Sequence, residues 1–113
     1  MSWSLGRLLT LAGSSARTAS GQSDIADIDG EALAITLDVT AAGGTTPTLD
    51  VVIEDAPTDQ GPWTTLSTFT QKTGTAREVQ RVTNKAFHRF VRARWTVGGT
   101  TPVFTFSVQA TVR

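Results

Sequence analysis

From residue 32 onward, apolar and polar residues alternate with a period of two, and this alternation constrains the fold more than any other feature of the chain. Leu33, Ile35, Leu37 and Val39 fall on one side of an extended backbone, with Ala34, Thr36 and Asp38 on the other. Leu49, Val51 and Ile53 repeat the pattern, as do Val91, Ala93, Trp95 and Val97, and then Phe104, Phe106, Val108, Ala110 and Val112. Successive side chains of a strand point to opposite faces, so this period marks strands with one buried face. Thr and Val dominate the runs, and residues branched at Cβ suit a pleated, half-buried surface. Beyond the first twenty residues no segment sustains a 3.6-residue period.

Turn chemistry separates the runs. Gly43-Gly44-Thr45-Thr46-Pro47 and Gly98-Gly99-Thr100-Thr101-Pro102 are identical, each followed by an alternating run. Adjacent glycines supply positive φ, and Pro opens a strand where its missing N–H does least harm. Each copy is expected to turn a hairpin, giving two related hairpins on facing sheets. The expected strands are 22–28, 32–40, 47–55, 63–70, 76–83, 87–97 and 102–112. Together they predict an all-β fold, an antiparallel, jelly-roll-like β-sandwich of about 6–8 strands. Residues 22–113 would form the sandwich and residues 1–21 an extended N-terminal arm.

The 113 residues suffice for one domain with a real core. There is no cysteine, so disulfides and thiolate metal sites are excluded. No apolar run reaches the length of a membrane-spanning helix. The run Leu8, Leu9, Leu11 and Ala12 is broken by Thr10 and is short for the apolar region of a secretion signal, so the arm is expected to belong to the mature protein. Net charge is zero, yet residues 24–59 hold nine acids and no Lys or Arg, while 72–113 hold eight bases and one acid. Either acidic and basic strands neutralise each other within one subunit, or one subunit's acidic face meets the next subunit's basic face.

Catalytic signatures fail in turn. His88 is the one histidine, and no G-x-S-x-G elbow accompanies it. Asp27, Asp29 and Gly30 fail the calcium-loop spacing, which would place Ile25 at its first position and Thr36 at its last. Arg89, Arg92 and Arg94 lie on an alternating strand in a chain of zero net charge, which argues against a nucleic-acid module. No cofactor, metal or catalytic residue is therefore expected, and the chain reads as a non-enzyme. Trp95 is in phase with the core, whereas Trp63 follows Gly61-Pro62 at a strand start, where it either plugs the end of the sandwich or stands more open to solvent. Trp3 in the arm has no local core, and interfaces favour tryptophan anchors. The candidate protein-contact residues are thus Trp3, Leu5, Leu8, Leu9 and Leu11 in the arm, with Arg92 and Arg94 on an outward strand face.

The chain resembles small structural proteins of tailed bacteriophages. The resemblance rests on Leu37-Asp38-Val39-Thr40, Gly44-Thr45-Thr46-Pro47-Thr48-Leu49-Asp50-Val51, Gly61-Pro62-Trp63-Thr64-Thr65-Leu66, Arg89-Phe90-Val91-Arg92 and Gly98-Gly99-Thr100-Thr101-Pro102 before Phe104-Thr105-Phe106. It covers residues 33–112 and implies a virion sandwich domain, above all a capsid decoration, or cement, protein. It further implies synthesis in the host cytoplasm, a place on the capsid surface, and as partners the major capsid protein and copies of the chain itself, with a trimer as the expected oligomer. A tail or connector role fits the same resemblance. The Gly61–Leu66 segment and the arginine strand are also similar to discoidin-type carbohydrate-binding domains, which would make a glycan the partner. The loops 41–47 and 98–102 carry no aromatic residue for that purpose.

Overall fold

The computed structural model describes residues 7–28, 32–82 and 87–112. It is all-β and antiparallel, with seven strands: β1 (Arg7–Arg17), β2 (Gly21–Gln22), β3 (Ala26–Asp27), β4 (Leu33–Ala56), β5 (Thr64–Thr68), β6 (Ala76–Val82) and β7 (Phe90–Val112). The expected sandwich is present, but its connectivity differs from the expected hairpins. β4 and β7 are continuous strands of 24 and 23 residues that pair along their whole length, from Leu33 opposite Val112 to Ala56 opposite Phe90.

The two Gly-Gly-Thr-Thr-Pro segments are therefore corners in a two-stranded ribbon rather than hairpin turns. They lie against each other, with Gly43 opposite Val103, Thr45 opposite Thr100 and Thr48 opposite Gly98, and the register shifts between these pairs. Gly44 and Gly99 have φ of 104° and 110°, and Thr46 and Thr101 have φ of 46° and 44°. A Cβ on Gly44 would lie 2.6 Å from the Thr101 carbonyl oxygen, and one on Gly99 would lie 2.7 Å from that of Thr46. Only glycine permits both this φ and this approach of one backbone to the other.

Beyond the corner the ribbon doubles back, so each long strand serves two layers. In one layer β1 pairs with the second half of β7, which pairs with the first half of β4, and that half pairs with β6. In the other, β2 and β3 pair with the first half of β7, which pairs with the second half of β4, and that half pairs with β5. A pseudo-two-fold axis between Thr45 and Thr100 exchanges the layers. It relates β1 to β5, β2–β3 to β6, and β4 to β7. The symmetry is broken at Thr40, where Val39 pairs with Phe106 but Ala41 with Thr105, leaving Thr40 as an extra residue.

Both inner faces meet in one core, which includes Leu33, Ile35, Leu37, Leu49, Val51, Ile53, Val91, Phe104, Phe106 and Val108. Removing such side chains from water stabilises the fold by roughly 1.5–3 kcal/mol each. Trp95 from one layer meets Phe106 from the other edge to face, with ring centroids 5.3 Å apart and planes at 80°. Arg17 closes this side. Its guanidinium lies 4.4 Å from the Phe106 ring centre and 4.9 Å from that of Trp95, and donates to the carbonyls of Gly13, Ser15 and Phe106. Burial pulls its pKa below the usual arginine value.

The segment expected as an arm contains a strand of the sheet. β1 runs along β7 from Arg7 opposite Val112 to Arg17 opposite Phe104. Leu11 and Ala12 enter the core, and Leu9 packs against it. Register shifts between Thr10 and Ala12 and between Ala12 and Ser15 interrupt the two-residue alternation, which is why the sequence here does not read as a strand.

Candidate interaction surfaces

The outward side of the second layer carries a charged cluster. Glu54 on β4 is directly opposite Arg92 on β7. Arg92 Nε lies 2.9 Å from Glu54 Oε1, and Arg94 Nε lies 3.3 Å from Oε2, so one carboxylate holds two guanidinium groups. Arg92 also lies 4.2 Å from the centre of the Trp63 ring. The 57–63 loop brings Trp63 there. Within that loop Thr58 Oγ1 donates to the Gly61 carbonyl, the Gly61 N–H donates to the Thr58 carbonyl, and the Gly61–Pro62 bond is cis. Between the sheet and this lid Glu54 is buried. Arg92 and Arg94 do point outward as the alternation predicts, but the side chain of Arg92 is only 16% exposed against 51% for Arg94.

Asp55, the next residue, closes the end of the sandwich. Its buried carboxylate accepts from the His88 backbone N–H at 2.6 Å, contacts His88 Nδ1 at 3.0 Å, and accepts from Thr64 Oγ1 at 2.9 Å. Asp and His thus adjoin as in hydrolase triads. Among the described residues, however, no hydroxyl bonds to the other ring nitrogen, and the contact ties the start of β7 to the end of β4. Nearby, Arg89 makes a two-pronged pair with Asp27, at 2.6 and 2.8 Å. The basic strand segment 89–94 therefore faces carboxylates of its own chain. For these residues, the charge split of the sequence is neutralised within the subunit.

The remaining predicted contact residues separate. Trp3 and Leu5 lie outside the described residues. Leu9 and Leu11 face the core, and Leu8 is 64% exposed. Lys72 joins Glu78 across the link between β5 and β6, where Thr70 N and Gln80 Nε2 also bond the same carboxylate. Burial pushes the Glu78 pKa up, but the hydrogen bonds from Lys72, Gln80 and the Thr70 backbone outweigh it and hold the group below its usual value. Every buried side-chain polar atom of the described residues has a partner. An open cleft of about 320 Å³ beside β2 is lined by Ser20, Gly21, Gln22, Arg94, Trp95 and Thr96. Sequence reasoning did not find the roles of Glu54 and Asp55, whose partners depend on cross-strand register and on a folded loop.

No protein-family model matches the chain, and no curated protein matches it by sequence. Among solved structures, the chain is similar to one in the T13 viral particle of infectious bursal disease virus, with TM-score 0.59 and 12% identity over 96% of this chain and 31% of that one. A chain in the structure of the Gx strain of the same virus gives TM-score 0.58 and 14% identity, covering 95% and 32% respectively. A similarity to Clostridium thermocellum xylanase 10B, a CBM22-1–GH10 structure with xylohexaose, has TM-score 0.49 and 12% identity over 79% and 19%, too slight to bear an argument. The protein thus spans about a third of the viral chains it matches, and it shares with that third its fold.

Proposed function

We propose that this chain is a structural virion protein, a capsid decoration protein of a tailed bacteriophage that binds the outer shell and bridges neighbouring subunits. The observation that carries this reading is the match of nearly the whole wrapped sandwich to part of a chain in a viral particle. The saturation of the buried side-chain polar groups among the described residues also suits a scaffold that acts through its surface. The action is mechanical and needs no cofactor. Each bound copy adds interface between shell subunits and so slows rupture. The partners are the major capsid protein and further copies of this chain, and Leu8 is the described apolar contact at the β1 edge.

Rebinding tests the reading. Purified protein should bind particles stripped of it, free sugars should not compete, and bound particles should withstand heating longer than bare ones. Failure to bind stripped particles at saturating protein would overturn it, and competition by a sugar would favour glycan recognition instead.

A further inference from the structure

Three large apolar side chains of the described residues are markedly exposed: Leu8, Ile25 and Val79. Two of them have opposite charged settings. Val79 lies on β6, which among the described residues pairs only with β4 and so edges the first layer, between Arg77 and Arg81 on the same outward face. Both arginines are exposed, and neither bonds to any described residue. They differ in this from Arg17, Lys72, Arg89, Arg92 and Arg94, which are all held internally. Ile25 lies between β2 and β3, which among the described residues pair only with β7 and so edge the second layer, with exposed Asp24 beside it and Asp27 two residues on. The Asp24 carboxylate likewise has no partner among the described residues.

The strand orders put these edges on opposite sides of the sandwich, β6 beyond β4 and β2–β3 beyond β7. One copy can therefore offer its basic edge to the acidic edge of a second without using either surface twice. We propose that copies of this chain associate head to tail, with β6 of one docked on the β2–β3 edge of the next, Val79 against Ile25 and Arg77 and Arg81 against Asp24. Open strand edges supply unpaired backbone groups for such a contact. The charges set the choice of partner edge, because β6 against β6 would oppose four arginines. A contact between two different surfaces repeats from copy to copy and closes into a ring when the rotation between copies allows. The association belongs to the isolated chain and does not depend on the virion reading.

Sedimentation of the full chain, without particles, tests this. The wild type should associate as its concentration rises, and Arg77→Glu with Arg81→Glu should weaken association at least about tenfold, a difference of roughly 1.4 kcal/mol, while leaving the far-UV spectrum unchanged. Adding Asp24→Arg to the doubly substituted chain should restore association, because the two edges then become complementary again with reversed sign. A wild type that stays monomeric at about 0.5 mM, weaker than millimolar binding, overturns the proposal. So does association that survives the double substitution, or one that the charge reversal fails to restore.

Discussion

The guanidinium of Arg92 lies 4.2 Å from the centre of the Trp63 ring while its Nε reaches Glu54. Arg92 and Arg94 thus have different weights although both point outward. Removing Arg92 leaves a buried carboxylate with one partly exposed partner and uncovers Trp63. Arg92→Ala should lower unfolding free energy by about 2–4 kcal/mol, in line with the loss of one member of a buried pair. Arg94→Ala should cost less than about 1 kcal/mol, as exposed pairs do. Urea unfolding of the two variants checks the contrast, and equal losses would contradict it.

Gly44 and Gly99 make a paired prediction. Each has positive φ and faces the backbone of the other corner, so Gly44→Ala and Gly99→Ala should each destabilise by about 1–3 kcal/mol, and by similar amounts. Gly13 and Gly74, whose Cβ positions meet nothing within 4 Å, serve as controls. Alanine there should change the thermal midpoint little.

Within β1 the leucines should separate by direction. Leu11 is buried, so Leu11→Ala should cost about 2–5 kcal/mol. Leu8→Ser should be nearly neutral for folding and should reduce particle binding, since its side chain stands in solvent. Chemical denaturation beside a particle pull-down distinguishes the two roles.

Glu78 predicts an acid limb in the stability profile. Its pKa is lower folded than unfolded, so it stabilises the fold above the unfolded value, and this contribution disappears as pH falls through the folded value. Glu78→Gln should unfold more readily at neutral pH and lose less stability between neutral and acidic pH than the wild type. Thermal melts across that range measure the difference, and parallel profiles would remove Glu78 as a source of the slope.

The alternation of Leu33–Val39 and Phe104–Val112 made the all-β class and much of the core legible, because a two-residue period has one physical meaning over such lengths. The corners were not legible. Gly-Gly-Thr-Thr-Pro satisfies the conformational demands of a hairpin turn as well as those of a bend, and the deciding fact, Thr45 opposite Thr100, is pairing between distant segments. β1 was hidden by its register shifts, which put Leu11 and Ala12 both inside. Of the charged surface, the outward direction of Arg92 and Arg94 could be read directly. Their shared hold on Glu54 required the β4–β7 register, and the cover over it required a loop to fold back.

The pairing of Arg7 with Val112 puts the first and last described residues side by side in one rung of neighbouring antiparallel strands. Tension applied across those two points would peel β1 from β7 one rung at a time, the geometry in which a sheet yields at least force. A load entering through the flanks of the long ribbon would instead be shared by many rungs in shear. The molecule should therefore be a weak link when pulled at these two residues and a strong one when gripped along its sides.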